Sequence, residues 1–386
     1  MTSRERVLTA LEHREPDRIP YDLGATVDTG IHHISYRNLL QYMGKGHLIK
    51  EEKQTEFMDL ATGIVQIDKE IVDELRIDAR GIISCYPPRW EENVRKEGDY
   101  EVIVDRLGAK WFRPPGGYYF DQKEGSYPLA GMTSAAEIGD YDWPNPADPE
   151  RIRGLRERVK GLGEDYAIAI GDPAGGIFAL GFRMRGYMNF YLDLAGNPSF
   201  ACSLLDKFTD LKIQYWDAVL NEVGDLVNVI VYEDDLGQQD RTLTSPEMYR
   251  KLVKPRHRRL FSYIRQKISD STYLFLHSDG SIYDIIPDLI EIGVDILNPV
   301  QVNATNMDSR KLKKEFGNEL VFWGGGVDTQ GVLSFGTPDE VRDEVKKRIE
   351  DFAPGGGFVL STIHNIQPEV PPANIMAMWE TLQSYG

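Results

Sequence analysis

Two histidines and a group of acids fall where short apolar runs stop. The sharpest case is Phe275-Leu276-His277-Ser278-Asp279-Gly280-Ser281, where an apolar stretch ends on an imidazole and, two residues on, a carboxylate. In an extended chain residues i and i+2 point to one side, so His277 and Asp279 face the same point. His364 ends a later apolar run in the same way, and Glu233 ends the run before His277. His277, His364, Glu233 and Asp279 together make a possible zinc set, with one position left for a substrate oxygen. The spacing is not in itself a zinc motif. Such groups also carry protons, so Glu233, Asp234, Asp235, Asp279 and Asn365 are candidate catalytic residues. Plainer uses stand beside these. Asp279-Gly280-Ser281 suits a turn and a helix cap, the histidines suit backbone-satisfied core positions, and one acid of Glu233-Asp234-Asp235 suits a cap or a pair with Arg241.

The elements that would position these groups alternate. Eight short apolar runs are expected as strands, at 18–24, 79–84, 166–172, 227–235, 273–279, 295–301, 320–328 and 357–365. Helical patterns lie between most of them: 177–222 as two helices broken near Asn197-Pro198, then 246–269, 282–292, 308–316, 338–352 and 372–384. Continuous apolar strands alternating with helices imply a parallel sheet covered by helices. The expected fold is α/β, a single (β/α)8 TIM-type barrel over 1–386, with 100–130 inserted between strands two and three as an antiparallel hairpin or lid. Active sites of such barrels lie at the C-terminal strand ends. Those ends carry Asp22, Ser84 and Cys85, Asp172, Glu233 to Asp235, His277 and Asp279, Asn298 and Gln301, Asp328, and His364 with Asn365. Asp22, Trp111, Asn298, Gln301 and Asp328 are the candidate substrate-binding residues. Trp111, Phe112, Tyr118, Tyr119 and Phe120 make the insertion aromatic, which fits either a lid or packing outside the barrel. Cys85 reads as a small buried hydrophobe, and Met184, Met188, Phe190 and Tyr191 as core.

Composition narrows the function. The formal charge of −17, with no basic block, argues against a nucleic-acid partner. Two cysteines and no CxxC fit a reducing, cytoplasmic setting. The opening residues "MTSRERVLTALEH" read as a charged amphipathic helix rather than a signal peptide, and no apolar run is long enough for a membrane span.

Several pieces, taken in order, resemble one family. They are "RERVLTALEHREPDRIPYDLG", "DPAGGIFALGFRMRGYMNFYLDLAGNP", "YEDDLGQQDRTLTSPEMYRKLVKPRHRRL", "FLHSDGSIYDIIPDLIEIGVDILNPVQ", "FWGGGVDTQGVLSFGTPDEV" and "GGGFVLSTIHNIQPEVPPANI". The chain resembles the uroporphyrinogen-decarboxylase-like superfamily, in its corrinoid-dependent methyltransferase branch. That resemblance implies one of two chemistries. Porphyrinogen decarboxylation uses an arginine-rich N-terminal loop, but no arginine lies between Pro20 and His33 here. Thiol-directed methyltransferases carry zinc on His-x-Cys-Gly and Ser-x-x-Cys; here His277-Ser278-Asp279-Gly280 and Ser361-Thr362-Ile363-His364 stand at those places. Both cysteines are replaced. A harder N/O set makes a metal a stronger Lewis acid toward oxygen, which suits ether activation. The ending His-Asn-Ile-Gln-Pro resembles the methyltransferase I component of O-demethylases.

The resemblance therefore implies methyl transfer from an O-methylated, methoxyaromatic substrate to the cobalt(I) of a corrinoid on a separate partner protein. It also implies a possible homodimer. The alternatives are a metal-independent decarboxylase of a small or tetrapyrrole carboxylic acid and a non-catalytic binding module, which the ring of acids and histidines disfavours.

Overall fold

The computed structural model describes residues 1–83, 93–172 and 174–386. Ser84 and Cys85, expected at a strand end, lie outside the described residues. Seven parallel strands form one curled, TIM-like sheet whose spatial order follows the chain. They are β1 (Ala79–Ile83), β2 (Ala167–Gly171), β3 (Val229–Glu233), β4 (Tyr273–His277), β5 (Ile296–Asn298), β6 (Val321–Trp323) and β7 (Phe358–Val359).

The first expected strand, 18–24, is reduced to a single parallel bridge between Tyr21 and Leu360. Leu360 N donates to Pro20 O, Asp22 N to Leu360 O, and Asp78 N to Tyr21 O. The segment therefore lies between β7 and β1, linked to both sides. It has too few ladder bonds to be a strand, and Pro20 has no N–H to give.

Strand side chains alternate between two faces. Ala169, Val231, Phe275, Ile296, Trp323 and Val359 pack together on one face, inside the curl. Val7 and Leu11 of the helix Ser3–Leu11 join them. Arg4 N donates to Asp165 O and Gly357 N to Ala10 O, which seats this helix at the starts of β2 and β7. Its first turn is held by a capping box of Thr2 and Glu5. The opposite faces of the strands bury Ile170, Ile230, Leu274 and Phe322 under the surrounding helices. Burying each such side chain contributes about 1.5–3 kcal/mol relative to exposure.

Two helical stretches differ from expectation. The 177–222 stretch is three helices, Ile177–Arg185, Tyr187–Gly196 and Pro198–Val223. The extra break falls at Gly186, whose φ of 84° only glycine adopts freely. Met184 and Phe190 are buried as core, but Met188 is 72% exposed on the outer side of its short helix. The 246–269 stretch contains a π-turn at Tyr249–Val253 just before Pro255, which lacks the N–H an α-helical ladder needs there.

Between β1 and β2 the chain forms a three-stranded antiparallel sheet, Arg95–Glu97, Tyr100–Val104 and Lys110–Arg113. Among the described residues no helix is long and apolar enough to cross a membrane.

Candidate active site

β3, β4 and β5 deliver three polar groups at one level. Glu233 is register partner of His277, and His277 of Asn298. Each follows an inward residue by two positions: Val231, Phe275 and Ile296. All three therefore face into the mouth of the curl.

The His277 ring is held in one tautomer. Its Nδ1–H donates to Asn298 Oδ1 at 2.6 Å, and Asn298 Nδ2 donates to Trp323 O at 2.7 Å. The second bond fixes which way the amide faces, so Nδ1 carries the proton. Nε2 is left to face Asp28 Oδ1 at 3.6 Å, Asp279 Oδ1 at 3.8 Å and Asp235 Oδ1 at 3.9 Å. His364 Nε2 lies 3.6 Å from Asp279 Oδ2 and 4.0 Å from Asp28 Oδ1. His364 reaches this place from a left-handed backbone, φ 64°, uncommon outside glycine and found more often at functional positions.

These separations are too long for hydrogen bonds, yet the donor atoms crowd one point. One ligand atom each from Asp28, His277 and His364 lie within 4.8 Å of one another, and so do those of Asp235, His277 and Asp279. Asp28 is buried, and its Oδ2 has no hydrogen-bond partner among the described residues. A buried orphan of this kind costs about 1–3 kcal/mol unless something binds it. Imidazole nitrogen and carboxylate oxygen around one point, with an unsatisfied oxygen, fit a zinc-type ion.

Electrostatics point the same way. Burial, helped by Asp279 and Asp235, pushes the Asp28 carboxyl up to about 7. Burial and then the nearby Asp28 raise Glu233 well above the usual carboxylate range. For His277 burial acts downward, but Asp279, Asp235 and Asn298 outweigh it and the ring is raised. Acids that resist ionising beside a histidine that favours its charge form one proton-sharing cluster.

Asp28 was not foreseen. It sits in the loop after the first segment, where Gly24 N donates to Thr29 O and Thr26 and Thr29 exchange hydroxyl contacts. The usable signal was an acid six residues beyond Asp22, in a loop that must emerge at the barrel mouth. Asp22 itself is buried and accepts from Trp323 Nε1 at 2.8 Å and Ala25 N at 2.9 Å. Glu233 faces the mouth but falls in neither donor group.

Asp234 points the other way, as alternation requires. Its carboxylate accepts from Phe178 N and Ala179 N at the start of Ile177–Arg185 and meets His257 Nε2 at 2.8 Å. A Cβ on Gly176 would fall 2.1 Å from Asp234 Cγ, so this close approach requires glycine. Arg241 pairs with Asp240 rather than with the Glu233–Asp235 run. Asp235 Oδ1 accepts from Asp279 N at 2.9 Å and steadies that loop. Gln301 accepts from Gly280 N and donates to Gln239, while Asp328 accepts from Asn303 and Gln330 N. Asn298 orients His277, and Asn365 binds Gln367.

A cavity of about 510 Å³ opens onto the cluster; Asp28, Glu233, His364, Asn365, Trp111 and Arg183 are among its walls. Another, of about 670 Å³, lies beside the helix His33–Tyr42 and holds none of the cluster residues.

A TIM-like sheet that gathers acids and imidazoles at its carboxyl strand ends defines an enzyme of the barrel type. The chain belongs to the uroporphyrinogen decarboxylase (URO-D) family, whose profile matches residues 117–385. A uroporphyrinogen decarboxylase of Psychromonas ingrahamii is 25% identical over 291 residues, covering 72% of this chain and 74% of that one. One from Chlorobium phaeobacteroides is 26% identical over 186 residues, 47% of this chain; the match spans about half, 48%, of that relative. The solved structure of a methyltransferase from Methanosarcina mazei shares the fold, with TM-score 0.65, 19% identity, and coverage of 100% of this chain and 99% of that one.

Proposed function

We propose that this chain is a methyltransferase. It would move a methyl group from an O-methylated, methoxyaromatic substrate to the cobalt(I) of a corrinoid carried by a separate protein. The observation that supports the reading best is the convergence of Asp28, His277 and His364 on one point, with Asp279 close to both histidines. An N/O donor set is hard, and ether oxygen is the hard atom to be activated.

Zinc held by Asp28, His277, His364 and Asp279 would supply Lewis acidity toward the ether oxygen. The chain's own residues supply the rest. Asn298 keeps the His277 Nε2 lone pair facing the cluster. Glu233 retains a proton in the acid-rich mouth and can give it to the departing oxygen. The cavity walls would hold the ring with its methoxy group toward the mouth. The O–CH3 bond breaks with its electron pair left on oxygen, cobalt(I) gives its own pair to the methyl carbon and is thereby oxidised to methyl-cobalt(III), and a proton converts phenolate to phenol. The partner would approach the open strand ends, with the 95–113 sheet as a lid at one side.

The family relatives keep decarboxylation of a carboxylic acid as the second reading. One assay separates the two. Purified protein is mixed with methoxybenzoates or methoxyphenols and a corrinoid protein held as cobalt(I), and the cobalt spectrum is followed. Methyl-cobalt formation is the expected result. Its absence with every substrate, together with carbon dioxide release, would replace methyl transfer by decarboxylation.

A further inference from the structure

We infer that the substrate carries a carboxylate, and that Arg183, stacked on Trp111, is the residue that receives it. This rests on the reading of the cavity as a methoxyaromatic site and deepens it to a methoxyaromatic acid.

The cavity lining holds five carboxylates: Asp28, Asp59, Asp105, Asp172 and Glu233. A guanidinium among so many acids would ordinarily pair with one of them. Lys212 does so, holding Asp172 at 2.6 Å with both side chains almost fully buried. Arg183 does not. Among the described residues its side chain meets no carboxylate; its acceptor is the backbone oxygen of Ala174, 3.0 Å from Nη1. One carbonyl uses one of five N–H donors, so most of the fork is left for something else.

The second observation is the platform under it. The Arg183 guanidinium carbon lies 4.8 Å from the centre of the Trp111 ring. Trp111 cannot turn freely, because its Nε1 donates to Asp105 Oδ2 at 3.0 Å. The backbone oxygen of Arg183 is itself held by Gln122 Nε2 at 2.9 Å. Asp105 holds the ring and Ala174 O holds one edge of the fork, so both are set in place before a ligand arrives. Trp111 comes from the strand Lys110–Arg113 and Arg183 from the helix after β2, so the subsite joins the 95–113 sheet to the barrel wall.

The chemistry follows from the charge. Arg183 is half-buried, and a half-buried guanidinium with a planar, delocalised face best matches a planar bidentate anion. A benzoate offers that group at one edge of an aromatic ring. Because Arg183, Asp28 and His364 line the same cavity, a carboxylate on the Arg183 fork lets the ring turn its methoxy group toward the cluster.

Binding measured by calorimetry tests this without any turnover. The probes are 2-, 3- and 4-methoxybenzoate and the corresponding methoxybenzamides, which keep ring and methoxy group and lose only the charge. Wild type is expected to bind at least one acid about tenfold or more tighter than its amide. Arg183→Leu should level acid and amide, and Arg183→Lys should restore only part of the preference, since it keeps charge but not the fork. Circular dichroism at the same temperature checks that the variants are folded. Equal affinity for acid and amide in all three wild-type pairs, binding of none, or a preference that survives in Arg183→Leu overturns the inference. Acid preference without methyl-cobalt formation would keep the Arg183 subsite and remove the methyl-transfer reading.

Discussion

The His277 imidazole and the Asn298 amide are register partners on adjacent parallel strands, and their 2.6 Å hydrogen bond decides which ring nitrogen faces the cavity. Asn298 in turn spends its other end on Trp323 O, so the backbone of β6 sets the orientation of a side chain two strands away.

Asn298→Ala should therefore free the ring and lower metal affinity about 10–100-fold, the usual effect of removing a ligand's supporting partner. Asn298→Asp keeps an acceptor for Nδ1–H and should recover most of it. Competition with a coloured chelator measures both. An affinity unchanged in Asn298→Ala would show that the ring needs no orienting.

Asp28 and Glu233 make opposite forecasts. Asp28 belongs to the donor group with His277 and His364, and Glu233 does not. Elemental analysis after purification in zinc should find the metal lost in Asp28→Ala and His277→Ala and retained in Glu233→Gln. The reverse pattern would return Glu233 to the ligand set.

Burial of Asp28 should also appear in stability. Its carboxyl rises from 3.8 to about 7 on folding. Between those values the folded chain keeps a proton that the unfolded chain has released, so stability falls as pH rises through the window and levels off above it. Asp28→Asn removes that loss. In chelator-treated protein its advantage over wild type should widen from about pH 4 to about pH 7, with an upper bound of about 4 kcal/mol from three units at about 1.4 each. Urea unfolding at a series of pH values gives the curve; a gap that does not change with pH rejects the account.

Lys212 and Asp172 are a pair whose side chains are 5% and 6% exposed. Lys212→Met strands the carboxylate and should cost about 3–5 kcal/mol. Adding Asp172→Asn should recover a large part, because the uncompensated charge is then gone. Chemical denaturation of the single and double variants measures the coupling; simple additivity would mean the two do not interact.

Asp234 belongs to the scaffold. It closes the start of Ile177–Arg185 and meets a fully buried His257. Asp234→Ala should lower stability by about 2–4 kcal/mol while the folded fraction still binds metal. A variant of normal stability that has lost metal would place Asp234 in the site after all.

Local rules carried much of this molecule. Alternating apolar runs and helical patterns specified a parallel α/β sheet with polar groups at one end, because burial on both faces leaves only strand ends for charge. The two-residue period put His277 and Asp279 on one side. The same period, applied to Glu233-Asp234-Asp235, already separates Glu233 from Asp234, and the structure follows it. Pro198 ended a helix where its missing N–H required, whereas Gly186 added a break that helical periodicity does not register.

What the tertiary structure decided was everything that depends on which chain segments meet. Asp28 lies about 250 residues from His277 in sequence (277 minus 28), and no local pattern links them. They meet because the segment around Tyr21 lies between β7 and β1 and turns its loop into the mouth. Gly280, at φ 82°, lets the Asp279 turn pack against Gln238, where a Cβ would sit 2.6 Å from a backbone nitrogen. The sequence by itself determined the residue types at the strand ends; only the closure of the sheet decided which of them share one point, since donor atoms must come within a few ångströms and strand order alone does not set that distance.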